Sequence, residues 1–238
     1  MIPLQPVIKR SQEVNYRLYV VMIFLLMRFS AICQTKLTSP FNKIRIYSNV
    51  NVKFYNSADK VFSISYPFVN NEQDSLLVTI ENETLTISTN DNSCFSDTVV
   101  INGSKLISVE NAYEGTLSID SIKNVDRFKA TLQGNGRIVI QSVQTDELEA
   151  SIITGNGLIE IKSGHCSKIK GRIIGTGTII MMETTSVKTV LSGVGTGTIF
   201  CPITNELKIT DLGTTKILYK GIPQIKRRGM VKLYKIDN

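Results

Sequence analysis

Gly134-Asn-Gly136-Arg-Ile-Val-Ile140 decides the fold, because the chain then writes nearly the same thing three more times. Gly155-Asn-Gly157-Leu-Ile-Glu-Ile161, Gly175-Thr-Gly177-Thr-Ile-Ile-Met181 and Gly195-Thr-Gly197-Thr-Ile-Phe-Cys201 follow at steps of 21, 20 and 20 residues between first glycines. A fixed period of that length is the mark of a solenoid. Weaker copies flank the block: Gly115-Thr-Leu-Ser-Ile119 before it, then Gly213-Thr-Thr-Lys-Ile-Leu-Tyr219 and Gly229-Met-Val-Lys-Leu-Tyr234 after it.

Aligned on their glycines, the repeats put Leu117, Ile138, Ile159, Ile179, Ile199 and Ile217 in one column. Ile119, Ile140, Ile161, Met181, Cys201 and Tyr219 form another two residues on. Residues two apart on a strand face the same side, so both columns point into a core. A second strand per repeat supplies Phe128, Leu148, Ile169 and Leu207; the repeat from Glu183 to Val194 is expected to use Val187 or Val190 there. The glycines are expected at corners that need φ above zero, and Asn135 and Asn156 suit the same turns. The fold class is therefore all-β, a parallel β-solenoid (β-helix) with short strands and Gly-x-Gly turns at a period of about 20 residues.

Between the inward columns runs an outward one: Ser118, Val139, Glu160, Ile180, Phe200 and Leu218. Its last three members are apolar on successive rungs, and an apolar stripe facing water is a candidate partner surface. Ile180, Phe200 and Leu218 are thus the candidate interaction residues. The plainer expectation is that the N-terminal half or the basic tail covers them.

Upstream of the repeats, short alternating runs read as strands: Lys43-Ile-Arg-Ile46, Val50-Asn-Val-Lys-Phe54, Val61-Phe-Ser-Ile-Ser65, Leu76-Leu-Val-Thr-Ile80 and Thr84-Leu-Thr-Ile87. Asn- and Asp-rich breaks such as 56–59, 70–74 and 90–92 separate them. Thr98-Val-Val-Ile-Asn102 and Lys105-Leu-Ile-Ser-Val109 lead on without a Pro- or Gly-rich linker. One domain over 41–238 is expected, with an N-terminal β part (41–110) and a repeat part (111–238).

The first 33 residues read as an export signal. Lys9, Arg10 and Arg17 precede the apolar run Leu18–Met27, which is too short to cross a hydrocarbon layer of about 30 Å. Ala31 and Cys33 are small enough for signal peptidase, which places cleavage after Cys33. Acylation of Cys33 is one alternative, although Ile32 is bulky where a lipoprotein signal wants a small residue, and a retained anchor or a cytoplasmic protein is the other. No membrane span is expected in the mature chain.

The formal charge is +7, and without residues 1–33 it is 23 basic against 19 acidic, or +4. That is too mild to argue for nucleic acid. The excess gathers in Lys216, Lys220, Lys226, Arg227, Arg228, Lys232 and Lys235, read as a solvated basic face with contact to an anionic surface as the alternative.

Catalysis would require convergent acid, base or nucleophile groups. His165 is the only histidine, beside Cys166, and reads as a surface turn residue. Asp120, Asp126, Asp146, Glu147, Glu149 and Glu160 are expected to scatter over different rung positions rather than form an acidic wall. The Gly-x-Gly pairs lack the third glycine and following helix of a nucleotide loop, and the aspartates of calcium-binding repeats. No catalytic residue, cofactor or metal site is expected. Cys94, Cys166 and Cys201 read as buried small hydrophobes. The threonines at 176, 178, 196 and 198 make a two-rung hydroxyl array that ordinary β-propensity explains.

The chain resembles the bacterial head GIN domain family of "putative autotransporter adhesins", found mainly in exported proteins of Bacteroidetes. The resemblance covers Phe41 to the C-terminus and rests on Phe41-Asn-Lys-Ile-Arg-Ile46 with Val50-Asn-Val-Lys-Phe54, on Thr84-Leu-Thr-Ile87, on the serial Gly-x-Gly rungs and on Ile217-Leu-Tyr-Lys-Gly-Ile-Pro223. Thr154, Ile174 and Val194 stand before glycines where the family usually has Ser, and Gly213-Thr-Thr215 lacks the second glycine. The resemblance implies an exported protein of the periplasm, outer membrane surface or medium. It implies an adhesin-like, non-enzymatic module whose partner is an unspecified surface glycan or protein. The alternatives are a carbohydrate-active solenoid enzyme and a purely structural envelope protein.

Overall fold

Every described residue that is in regular structure lies in a strand, as the Ile-, Val- and Thr-rich runs between polar turns dictate. A computed structural model describes residues 32–37, 39–57, 62–67, 76–89 and 95–236. The export signal read at 1–33 lies outside these but for its last two residues, as do the breaks at 70–74 and 90–92 and Cys94.

The strands are β1 (Ile32–Lys36), β2 (Lys43–Tyr47), β3 (Val50–Asn56), β4 (Ser63–Pro67), β5 (Leu76–Glu81), β6 (Thr84–Thr89) and β7 (Phe95–Gly103). Next come β8 (Ser108–Asn111), β9 (Thr116–Ile122), β10 (Arg127–Gln133), β11 (Arg137–Thr154), β12 (Leu158–Ile161) and β13 (Gly164–Ile173). The last are β14 (Thr178–Ile180), β15 (Thr184–Gly193), β16 (Thr198–Phe200), β17 (Ile203–Asp211), β18 (Lys216–Tyr219), β19 (Gln224–Gly229) and β20 (Lys232–Lys235).

They stack as a β-solenoid with two parallel walls. One wall runs β7, β3, β9, the start of β11, then β12, β14, β16, β18 and β20. The other runs β6, β2, β8, β10, the end of β11, then β13, β15, β17 and β19. Rungs repeat at about 4.8 Å. The order is not sequential at the N-terminal end: β2 lies between β6 and β8, and β3 between β7 and β9. Beyond them the stack ends in antiparallel partners, β4 on β7 and β5 on β6. The β5–β6 hairpin turns through Asn82 and Glu83, both with positive φ.

The inward columns are in register as the repeat requires. Ile138 pairs with Leu117 and Ile159, Ile159 with Ile179, Ile179 with Ile199 and Ile199 with Ile217. All are fully buried, as are Ile119, Ile140, Ile161, Met181 and Cys201, while Tyr219 is half-buried. On the opposite wall Phe128, Leu148 and Ile169 stack, and Thr189 and Leu207 continue the column. Thr189, not Val187 or Val190, therefore fills the irregular rung. Val187 is 52 % exposed and Val190 stacks outward on Lys170. Threonine has the shape of valine, and its one extra group is satisfied: its hydroxyl lies 2.8 Å from that of Ser186.

A further inward column holds Ala130, Ala150, Gly171, Leu191 and Ile209. Here small residues make room for large ones, since a Cβ on Gly171 would come within 2.8 Å of Leu191 Cδ2.

The corner glycines have a different reason from the one expected. Of the Gly-x-Gly pairs only Gly155 has positive φ, and Asn135 and Asn156 do not. The other glycines are required by proximity: a Cβ on Gly177 would meet the Gly157 carbonyl oxygen at 2.6 Å, and one on Gly197 would meet that of Gly177 at 2.5 Å. Rungs at β-ladder spacing leave no side-chain room where the corners turn inward. Asn135 serves the turn through its side chain, accepting the Asn156 N–H at 3.0 Å.

Candidate recognition surfaces

Ile180, Phe200 and Leu218 are brought together on successive rungs. Glu160 pairs with Ile180, Ile180 with Phe200 and Phe200 with Leu218, and Leu218 pairs onward with Tyr234, which is 50 % exposed. The three are half-buried, each shielded by its stacked neighbours. The basic tail does not fold over them. It adds β20 as the next strand of the same wall, beside β18.

The opposite wall presents charge. Glu147 accepts a 2.7 Å hydrogen bond from Lys170 Nζ and lies 3.3 Å from Arg127 and 3.5 Å from Lys168. Arg127, Glu147 and Lys168 are directly stacked, as are Lys129, Glu149 and Lys170. The hydrogen bond from Lys170 lowers the Glu147 carboxyl below its ordinary range; partial burial opposes this, and the charges of Lys170, Arg127 and Lys168 reinforce it. Lys129–Glu149 at 3.4 Å and Lys188–Glu206 at 3.2 Å continue the pattern along the wall. Opposite charges on adjacent rungs support the ladder, so these acids are engaged in holding the wall.

Asp126 and Asp146 occupy equivalent positions on adjacent rungs, while Asp120 in β9 and Glu160 in β12 lie on the other wall. Asp126 and Asp146 each immediately precede one of the paired residues Arg127 and Glu147. With His165, Asn124, Gln144, Thr145 and Ser167 they line an open concavity. Asp126, Asp146 and His165 are all solvent-exposed, and His165 Nδ1 is engaged 2.9 Å from the Thr185 hydroxyl. No group of three metal-ligating side chains exists among the described residues.

Cys166 and Cys201 are buried free thiols. Burial pushes the Cys166 thiol up to about 11, opposed by a backbone hydrogen bond with Thr145, and Cys201 up to about 12. They pack as small apolar residues.

A row of aliphatic residues at the glycine corners was not evident in the sequence; it is most exposed at its end, with Leu212 and Met230 both 76 % exposed. Its signal was the bulky residue standing before each glycine, at Ile174 and Val194.

A two-walled parallel solenoid with Gly-x-Gly corners and no helix among its described residues defines the class. The chain belongs to the family described as "Putative auto-transporter adhesin, head GIN domain", whose model matches residues 40–223. Three solved structures are similar in fold. One is a "putative adhesin" from Bacteroides fragilis (TM-score 0.70, 20 % identity, covering 86 % of this chain and 97 % of that one). Another is a "putative adhesin" from Parabacteroides merdae (TM-score 0.67, 18 % identity, 87 % and 96 %). The third is a "Putative lipid binding protein" from Parabacteroides distasonis (TM-score 0.67, 20 % identity, 87 % and 97 %). A search of curated proteins found no match. No helix among the described residues is long and apolar enough to cross a membrane.

Proposed function

We propose that this chain is an exported, non-enzymatic recognition module of the bacterial envelope or cell surface. It contacts a surface glycan or protein through the stripe Ile180, Phe200 and Leu218. The observation that carries the reading is that stripe, three apolar residues in direct register on the outer wall. A repeat scaffold that places identical positions at about 4.8 Å intervals presents an extended, rigid contact line. Glycan-array and pull-down binding by the mature chain, compared with Phe200→Asp, tests it. Binding lost in the variant supports the stripe as the contact. Full binding by the variant removes the stripe from that role, and no ligand in either assay favours a purely structural envelope protein.

The concavity holding Asp126, Asp146 and His165 supports a second reading, a carbohydrate-active solenoid enzyme, since two carboxylates and an imidazole share one surface. Their exposure weighs against it, because catalytic acids and bases are tuned by burial and fixed partners. Hydrolysis of acidic or neutral polysaccharides that disappears in Asp126→Asn and Asp146→Asn would establish the enzyme.

A further inference from the structure

The corner after each strand of the charged wall carries a row of aliphatic side chains. Ile174 N–H donates to Ile152 O, Val194 N–H to Ile173 O and Leu212 N–H to Gly193 O, each at 2.9 Å. These parallel-ladder bonds stack Ile153, Ile174, Val194 and Leu212. Met230 prolongs the row, because Gly229 before it pairs with Asp211 before Leu212. Five rungs make a line about 19 Å long. Exposure rises along it, from half-buried Ile153 and Ile174 to 50 % at Val194 and 76 % at Leu212 and Met230. Two residues beyond Ile174, Val194 and Leu212 the exposed positions are polar: Thr176, Thr196 and Thr214. The corner therefore tolerates polar side chains, and the row is apolar against that option.

Cations border the row. Arg172 and Arg228 stand two residues before Ile174 and Met230, in one outward column joined through Ser192 and Thr210. Lys216 and Lys232 open the strands that follow and are stacked on each other. None of the four makes an ion pair among the described residues, whereas the mid-stack cations are matched by Glu147 and Glu149. Like charges directly opposite in a ladder oppose folding. Lys216 stands on Lys232, and Lys208 on Lys226 around the edge, so positive charge gathers on these last rungs. The last rung, β19 and β20, lies beyond the family match at residue 223.

We propose that this ridge seats the solenoid on an anionic lipid bilayer, with Val194, Leu212 and Met230 entering the headgroup boundary and Arg172, Arg228, Lys216 and Lys232 meeting lipid phosphates. A protruding aliphatic edge rimmed by cations is the chemistry of interfacial attachment. An acidic glycan would leave Leu212 and Met230 in water. Protein hot spots favour aromatic residues seated in pockets, which a convex aliphatic corner does not offer. The proposal concerns a different surface from the Ile180–Phe200–Leu218 stripe and stands without it.

Co-sedimentation of the mature chain with vesicles tests it, using phosphatidylcholine alone and about three parts phosphatidylcholine to one of phosphatidylglycerol. Binding to the anionic vesicles is expected, at least about tenfold stronger than to neutral ones, since each cation near an anionic leaflet contributes about fivefold. Leu212→Ser combined with Met230→Ser should weaken it about tenfold or more with an unchanged melting curve, because both side chains are exposed. Arg228→Gln with Lys232→Gln should weaken it and reduce its sensitivity to salt, while Phe200→Asp should leave it intact. The proposal is overturned if the wild type does not bind anionic vesicles or if Leu212→Ser/Met230→Ser binds as well as wild type. Retention of the wild type on a heparin column without vesicle binding would assign the cations to a polyanion instead and also overturn it.

Discussion

Asp211 stands directly above Gly193 in the inward corner column where lower rungs carry Leu132, Ile152 and Ile173. The carboxylate is fully buried. Its two oxygens accept the N–H groups of Gly213 and Thr215, each at 3.1 Å. A Cβ on Gly193 would come within 2.5 Å of Asp211 Oδ1. Asn111 does the same at the other end of the repeats, donating to Gly115 O at 2.7 Å and accepting from Tyr113 N at 3.3 Å. A buried polar side chain tying down the turn thus replaces the aliphatic corner residue near each end of the repeat block.

Gly193→Ala should therefore destabilise by about 2–3 kcal/mol, well beyond an ordinary glycine-to-alanine change, because it displaces the carboxylate and leaves one buried and one partly buried N–H unmatched. Asp211→Ala should cost about the same, and the double variant much less than the sum. Urea unfolding of the three variants measures this; additive losses would mean that the two sites are uncoupled.

Thr189 and Ser186 share one buried hydrogen bond. Thr189→Val alone should cost about 1–2 kcal/mol by leaving the serine hydroxyl without that partner, while Thr189→Val with Ser186→Ala should be close to neutral. Thermal melts of both variants decide it.

Ile159→Asp should abolish cooperative folding, since the residue is fully buried in mid-stack and no cation faces inward there to pair the charge. Circular dichroism should show loss of β signal; a native-like melt would contradict the aliphatic core.

Glu147 has a carboxyl held below its ordinary value by Lys170, with Arg127 and Lys168 assisting. A lowered native pKa gives stability that is present above the unfolded carboxylate value of about 4.3 and is lost as pH falls through the native value. Its partners are one-third to two-thirds exposed, so screening limits the gain to about 1 kcal/mol. Glu147→Gln should lose that amount at pH 7 and low salt, and almost nothing near pH 3, as read from urea midpoints across pH.

Cys166 and Cys201, with thiols pushed up to about 11 and about 12, should resist alkylation at pH 8 in the native protein and react fully in denaturant. Site-resolved mass spectrometry is the check. Rapid native labelling of either would mean that its wall opens.

The amino-acid sequence by itself determined the solenoid, its period and its aliphatic files. Register in a stack follows from which residues recur at the same offset, and Leu117, Ile138, Ile159, Ile179, Ile199 and Ile217 recur without a gap. The stripe through Phe200 was legible for the same reason. Only the tertiary structure decided that β2 and β3 slot between strands that follow them in the chain, because that pairing is non-local and carries no periodic signal. It likewise decided that Thr189 replaces an aliphatic residue, since the outcome turns on whether one hydroxyl finds a partner. The glycine corners were placed by the repeat but explained by the stack: their constraint is the carbonyl of the rung beneath, a distance that exists only once the rungs lie over one another. The aliphatic ridge from Ile153 to Met230 appeared for the same reason, as five residues before unremarkable turns became one edge when the coil closed.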